Sequence, residues 1–171
     1  PIEQEGTYPL PEAQVDRFMF KLLVKYPDKA SERLVLRQNT TSSDLSILKD
    51  VVAPKEILEA QNIIQDIYVD EKVEDYVLKL IFATRDPQDH GLNDLEGIID
   101  FGASPRATIN LVRAAKARAF TERRGYITPE DIRYVGADVL RHRVILTYEA
   151  EAEELTADDI IQRLFEVIEV P

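Results

Sequence analysis

The sequence predicts a mainly α-helical protein, a helical bundle that follows a short N-terminal helix–strand unit. Apolar residues recur at helical spacing through most of the chain, and Ser, Thr or Asp precedes several of these segments as a start signal. Strict alternation of apolar and polar residues is convincing at one place only. The chain has 171 residues, 44% of them apolar, which is enough to build a packed core.

The N-terminal unit is predicted as a helix that opens at Pro11 and runs to Arg17, followed by a strand over residues 18–25. The apolar side chains that share one face of this strand are Phe18, Phe20, Leu22 and Val24. Three short apolar pieces could be extended, but none is a full partner: Val51–Val52, Ile67–Val69 and Val144–Leu146. An unpaired strand leaves backbone groups without partners, so we expect its sheet to lie upstream, outside this chain.

Six further helices are predicted from their start signals. Asp28 can cap a helix that reaches about Asn39, and Pro54 suits the first position of the next helix. The third helix opens at Asp70 and carries the clearest apolar stripe, formed by Val73, Tyr76, Val77, Leu80 and Ile81. The last three helices start after a capping hydroxyl, at Ser104, Thr128 and Thr156. The helix after Ser104 is expected to reach about Arg123.

Composition excludes several kinds of site. The chain has no cysteine, so disulfides, thiolate metal sites and Cys–His catalysis are excluded. Its two histidines, His90 and His142, lack metal-ligand spacing, and both are expected on the surface. The net charge of −11 argues against a general nucleic-acid surface. No apolar run approaches the roughly 18 residues of a membrane span, and no G-x-x-x-x-G-K-[ST] phosphate loop is present.

Two arginines are candidate anion-binding residues. Arg17 lies at the junction of the predicted helix and strand, where it could also cap the helix and bind a surface carboxylate. Arg106 lies in the first turn of a helix, where the helix dipole disfavours a cation. An arginine at such a place can bind an anion together with the helix N-terminus. The alternative is an ordinary solvent-facing arginine.

The charge of the chain is divided unevenly along its length. Residues 103–124 contain six basic residues and one acidic residue, a charge of +5. Residues 149–171 contain eight acidic residues and one arginine, a charge of −7. One interpretation is therefore that the acidic tail neutralises the basic helix through salt bridges.

The sequence resembles the MoxR-type AAA+ ATPases, and three blocks carry the resemblance: PIEQEGTYPLPEAQVDRF, GASPRATINLVRAAKARAF and ITPEDIRYVGADVLRHRVILTYEAEAE. It runs essentially from Pro1 to the end, although residues 31–97 match mainly in their helical pattern. The resemblance implies a cytoplasmic, ring-forming and usually hexameric ATPase with an α/β nucleotide-binding core and a helical lid. Residues 1–30 would then be the C-terminal end of the core, its arginine-finger helix and strand. Residues 31–171 would be a helical segment and the lid domain.

The resemblance also implies roles for both arginines. Arg17, the arginine of the DRF block, would be the arginine finger, which acts in trans on the γ-phosphate in a neighbouring subunit. Arg106, the arginine of the GASPR block, would be the sensor-2 residue, which contacts nucleotide phosphates in cis or in trans. Glu12 and Asp16 lie near Arg17 in the sequence, and we expect them to orient it.

The implied cofactors are ATP and Mg²⁺ in the full-length protein. The family's phosphate loop, acidic metal-binding strand and sensor asparagine precede the block at Pro1, so we expect this chain alone to bind no nucleotide tightly and to hold no metal. The implied partners are further copies of the same chain and von Willebrand A-type proteins, with chaperone-like maturation of other proteins as the function. Neither nucleic-acid binding nor membrane insertion is expected.

Two other function classes remain open at this point. In the first, the chain is a non-catalytic helical interaction module, and its arginines serve only the structure. In the second, the basic helix reads nucleic acid, which the net charge and the few nearby aromatic residues disfavour.

Overall fold

The computed structural model describes residues 10–40 and 50–171. Within these residues the chain forms eight α-helices: α1 (Glu12–Val15), α2 (Lys29–Thr40), α3 (Pro54–Gln65), α4 (Glu71–Ala83), α5 (Pro105–Thr121), α6 (Pro129–Leu140), α7 (Tyr148–Ala152) and α8 (Ala157–Val167). Two short strands, β1 (Ile99–Phe101) and β2 (Ile145–Leu146), pair antiparallel, with Ile99 opposite Leu146. Two 3₁₀ turns, Gln88–His90 and Asn93–Leu95, connect α4 to β1. The prediction of a mainly α-helical protein is confirmed.

The hydrophobic core lies between α4, α5, α6 and α8. Helix α5 packs against both α4 and α6, and α8 packs mainly against α6. The predicted stripe of α4 is buried in full: Val73, Tyr76, Val77, Leu80 and Ile81. These positions share one face because an α-helix returns to the same side after three or four residues. The stripe therefore determines which side of α4 meets α5.

The predicted start signals form the expected caps. The Asp70 carboxylate accepts a hydrogen bond from the Lys72 N–H at 3.0 Å, and the Ser104 hydroxyl accepts one from the Arg106 N–H at 3.2 Å. Asp28 accepts one from the Ser31 N–H at 2.7 Å. Each cap satisfies a backbone donor that has no partner inside its own helix.

The acidic tail does not neutralise α5, so that interpretation is wrong. Arg118 pairs with Glu122 at 2.7 Å on the same helix. Arg124 donates to both oxygens of Asp131, at 2.5 and 2.8 Å. The tail packs on α6 instead of α5. Its Asp158 pairs with Arg141, at the end of α6, at 2.9 Å.

The strand predicted over residues 18–25 is also absent. Its one backbone–backbone hydrogen bond to α6 joins the Lys21 N–H to the Asp138 carbonyl at 2.9 Å. Carbonyl groups of the segment also accept bonds from the side chains of residues 141–143, which follow α6. The side chains of the predicted apolar face are exposed, up to 95% for Val24. A strand requires a second backbone beside it, and the described residues supply none. The extended form predicted for Val144–Leu146 is confirmed at Ile145–Leu146, whose partner β1 was not predicted.

Gly102 lies where the chain leaves β1 and passes the end of α4. A Cβ atom at this position would lie 2.4 Å from the carbonyl oxygen of Thr84. The next residue, Ala103, donates its N–H to the Thr84 hydroxyl at 2.9 Å and accepts a bond from Arg85 Nε at 2.9 Å. This close approach positions the first turn of α5 against α4.

The Gly102→Ala variant should therefore lose roughly 1–3 kcal/mol of the free energy of unfolding, because the new methyl group meets backbone atoms. Urea denaturation followed by far-UV circular dichroism measures the loss. Gly125→Ala is the matched control, since nothing lies within 4 Å of a Cβ at Gly125, and it should change stability by less than about 1 kcal/mol. Equal losses in the two variants would contradict the role of the close approach.

Candidate functional site

The end of α1 meets the start of α5, and this contact brings the two candidate arginines into one region. Asp16 follows α1 directly, and its carboxylate faces the first turn of α5. The Ser104 hydroxyl donates to Asp16 Oδ1 at 2.9 Å, and Arg106 Nη1 donates to Asp16 Oδ2 at 3.0 Å. Arg106 therefore pairs with the carboxylate of the residue that directly precedes Arg17 in the chain.

Arg143 binds the other side of this carboxylate. Its side chain is fully buried, and its Nε donates to Asp16 Oδ1 at 3.0 Å. Its Nη2 donates to the Asp16 carbonyl at 2.9 Å. Its remaining N–H groups donate to the carbonyls of Phe18, Met19 and Val139. All five donors of the guanidinium thus have acceptors, which is what a buried cation requires.

Opposing effects set the pKa of Asp16. Burial alone would raise it, but hydrogen bonds from Ser104, Arg106 and Arg143 lower the pKa of Asp16 overall, below its ordinary value of 3.8. Burial lowers the pKa of Arg143 while Asp16 raises it, and a guanidinium remains charged in proteins. At neutral pH the cluster therefore contains one carboxylate between two cations.

The two candidate arginines differ in their surroundings. The Arg106 side chain is 53% exposed, and its bond to Asp16 is the one side-chain hydrogen bond it makes with the described residues. Arg17 is exposed, and its side chain has no hydrogen-bond or ion-pair partner among the same residues. The expectation that Glu12 and Asp16 orient Arg17 is therefore wrong at the side-chain level. Asp16 binds Arg143, Ser104 and Arg106 instead.

His142 is buried, so the prediction that it lies on the surface is wrong. Its side chain is 7% exposed, and Nε2 donates to the Phe18 carbonyl at 3.0 Å. Within the described part of the chain Nδ1 has no partner. Burial lowers the pKa of His142 below its ordinary value of 6.5, and the positive charges of Arg143 and Lys21 act in the same direction. The residue is buried because the N-terminal segment folds over the end of α6.

Arg143 is the central residue that sequence reasoning missed. It lies in RHRVIL, between the end of the α6 stripe and a short apolar run. A charged residue between two apolar segments is a feature from which the sequence could have predicted a buried, paired cation. The partner could not be identified because Asp16 lies 127 residues away.

The Arg143→Met variant should lose about 3 kcal/mol or more of the free energy of unfolding at pH 7, because Asp16 loses its buried partner. The pKa of Asp16 is lowered in the folded state, so its contribution is present above pH 3.8 and is lost as the pH falls through its folded-state pKa. The difference between wild type and variant should therefore narrow below pH 3.8, as measured by urea denaturation across pH.

Arg163→Met is the matched control for this experiment. It removes an arginine whose ion pair with Asp94 is largely exposed, with side chains 43% and 48% accessible. Exposed pairs contribute little to stability, so the control should lose much less stability than Arg143→Met. A loss at Arg163 as large as the loss at Arg143 would contradict the special role of the buried pair.

Two other structural features are absent from residues 10–40 and 50–171. No group of three or more His, Asp or Glu side chains is arranged to hold a metal ion in this part of the chain. None of its helices combines the length and apolar character needed to cross a membrane.

Known proteins match the chain over its whole length. Residues 95–164 match the family model of the AAA lid domain. The chain is 41% identical over 172 residues to the chaperone MoxR1 of Mycobacterium tuberculosis, covering 100% of this chain and 45% of that protein. It is 33% identical over 183 residues to the protein MoxR of Methylorubrum extorquens, covering 99% of this chain and 53% of the relative.

A solved structure agrees with these matches. The crystal structure of a candidate ATPase from Cytophaga hutchinsonii superposes with a TM-score of 0.94 at 46% identity, covering 100% of this chain and 52% of that one. The chain spans about half the length of the curated relatives that it matches. The resemblance carried by the three sequence blocks is confirmed: the whole chain corresponds to part of a MoxR-type AAA+ protein, and its residues 95–164 match the AAA lid domain.

Proposed function

We propose that this chain is the lid-bearing part of an ATP-hydrolysing, chaperone-like MoxR-type protein, and that Arg17 and Arg106 contact its nucleotide. The observation that carries the proposal is the cluster around Asp16, where the exposed Arg106 pairs with the carboxylate that directly precedes the exposed Arg17 in the chain, beside the first turn of α5. Guanidinium groups that are exposed and only partly paired can bind phosphate oxygens of a ligand.

Arg17 suits the role of an arginine finger in trans. Its side chain is exposed, while the preceding residue is bound to the fully buried Arg143 through both side chain and backbone. A finger must be held in place if it is to stabilise the charge that spreads over the γ-phosphate oxygens during transfer. Among the described residues Arg17 thus has no ion-pair partner, and the backbone that carries it is anchored.

Arg106 suits the sensor-2 role for a different reason. It lies in the first turn of α5, where the helix dipole favours an anion. One N–H of its guanidinium binds Asp16. The other four bind no other described residue. A nucleotide at this place would meet both the side chain and the positive end of the helix dipole.

The proposal includes ATP and Mg²⁺ as cofactors of the complete protein. Within the described residues there is no group of acidic or histidine side chains that suits a metal, so we assign Mg²⁺ to the nucleotide-binding core. We also propose a ring of identical subunits, a cytoplasmic location and a von Willebrand A-type partner. These follow from the family resemblance, and the trans role of Arg17 requires the ring.

A non-catalytic interaction module is the second candidate, and one observation favours it. Helices α2 and α3 bury no side chain in the described structure. The large apolar residues that they expose are Leu34, Val35, Leu36, Ile57, Leu58 and Ile63. Exposed apolar surface of this extent indicates contact with another protein part. In the ATPase proposal, the rest of the complete protein covers it.

Arg17→Ala in the complete ring should lower kcat for ATP hydrolysis by about 10³-fold or more, the usual effect of removing an arginine finger. Arg106→Ala should weaken nucleotide binding by roughly 10–100-fold, as expected for a lost charge-assisted hydrogen bond. Steady-state turnover and calorimetric nucleotide titration measure the two effects. Arg123→Ala is the control, because Arg123 is exposed at the far end of α5, and both values should stay unchanged. Unchanged turnover in all three variants would favour the interaction module.

Mixed rings test whether Arg17 acts on a neighbouring subunit. Subunits with Arg17→Ala keep an intact nucleotide site, and subunits with a disabled phosphate loop keep an intact arginine. If the arginine acts in trans, mixing the two inactive proteins should restore part of the turnover, because some interfaces then combine both intact halves. Mixtures as inactive as the separate proteins would contradict the trans role while leaving a role in cis open.

A further inference from the structure

We propose that Asp16 is a positioning residue that holds Arg106 when no nucleotide is bound and releases it to the phosphates when nucleotide binds. This inference rests on the proposed function and adds a residue to it. The Asp16 carboxylate has two unequal sides. Arg143, with no exposed side chain, binds one side, and Arg106, with 53% of its side chain exposed, binds the other.

The two ion pairs differ in how readily they break. Separating Asp16 from Arg143 would leave a buried cation without its carboxylate, which is strongly unfavourable. Separating Asp16 from Arg106 breaks a single bond of 3.0 Å at the surface, and such pairs contribute little. Phosphate oxygens accept a bidentate pair of bonds from a guanidinium. A bound phosphate can therefore compete for Arg106 without disturbing Arg143.

The charge balance permits this exchange. With Arg106 in place, Asp16 stands between two guanidinium groups. After Arg106 leaves, the carboxylate keeps Arg143 and the Ser104 hydroxyl, at 3.0 and 2.9 Å. No charge is left buried and unpaired in either state. The Asp16 carboxylate thus binds Arg106 in place of a phosphate group, and ATP must displace the carboxylate from Arg106.

The same carboxylate connects Arg106 with Arg17. Asp16 lies in the turn that ends α1, where the Arg17 N–H donates to the Gln14 carbonyl at 3.2 Å. The bonds from Arg143 and Ser104 fix this turn against the start of α5. Asp16 therefore positions Arg17 through the bonds that it keeps with Arg143 and Ser104. Its exchangeable bond with Arg106 determines how readily Arg106 can bind phosphate.

The experiment uses Asp16→Asn in the complete ring, with the non-hydrolysable analogue AMP-PNP as the probe. Loss of the negative charge frees Arg106, so the Kd for AMP-PNP should fall by about three- to fivefold, the size of an exposed ion pair. Turnover should fall severalfold, because an amide holds the turn before Arg17 less firmly. Tighter binding combined with slower turnover is a split that general structural damage would not produce.

Two further variants make the result specific. Asp94→Asn removes the same unit of charge from an exposed pair with Arg163, and it should leave both Kd and turnover unchanged. Combining Asp16→Asn with Arg106→Ala should abolish the gain in affinity, so that the double variant binds AMP-PNP no more tightly than Arg106→Ala alone. A gain that persists in the double variant would overturn the proposal.

The outcomes separate this inference from the proposed function. If Arg106→Ala weakens binding but Asp16→Asn does not tighten it, the exchange is overturned and the sensor-2 role stands. If Arg106→Ala leaves binding unchanged, the sensor-2 role itself is wrong, and the exchange fails with it.

Structures of the wild-type ring decide the question if Asp16→Asn does not fold. With AMP-PNP bound, Arg106 should lie more than about 4 Å from Asp16, beyond ion-pair distance, and should contact phosphate. Arg143 should remain on the carboxylate. An Arg106 that stays on Asp16 in the loaded ring would overturn the exchange, as would an Arg143 that leaves it.

Discussion

The buried guanidinium of Arg143 is the group on which the N-terminal segment of this chain depends. Two of its N–H groups donate to the side chain and the backbone carbonyl of Asp16. The other three donate to the carbonyls of Phe18, Met19 and Val139. These acceptors belong to the segment after α1 and to the end of α6. A buried cation needs an acceptor for every donor. Because residues 16–19 supply most of these acceptors, Arg143 holds the segment beside the start of α5.

The chemistry proposed for the chain follows from this arrangement. Anchoring Asp16 presents the exposed Arg17 on a fixed backbone, and it also brings a carboxylate to Arg106 in the first turn of α5. Helix α5 is positioned independently, through the close approach of Gly102 to Thr84 and the cap at Ser104. The buried Arg143–Asp16 ion pair and the backbone contact between Gly102 and Thr84 therefore position the two sides of the same site.

The apolar surface outside the core is consistent with a chain that works within a larger protein. Helices α2 and α3 have no fully buried residue in the described structure, and the apolar side chains of residues 18–25 are mostly exposed. The chain also spans only about half the length of its curated relatives. Surfaces of this kind are normally covered by further protein, whereas residues 67–168 contribute a buried hydrophobic core.

The sequence by itself determined the helices from α2 to α8 that have both a capping residue and an apolar stripe, because these signals are local and lie within a few turns of each other. It also determined the family, through three blocks of specific residues. It predicted a strand over residues 18–25 that the described chain does not form, and it placed His142 on the surface. Only the tertiary structure decided that Arg143 is buried, that Asp16 binds it, and that Arg106, Arg118 and Arg124 pair with Asp16, Glu122 and Asp131 instead of with the acidic tail. Asp16 and Arg143 lie 127 residues apart in the sequence, and neither residue spacing nor composition indicates which distant segments of a chain meet.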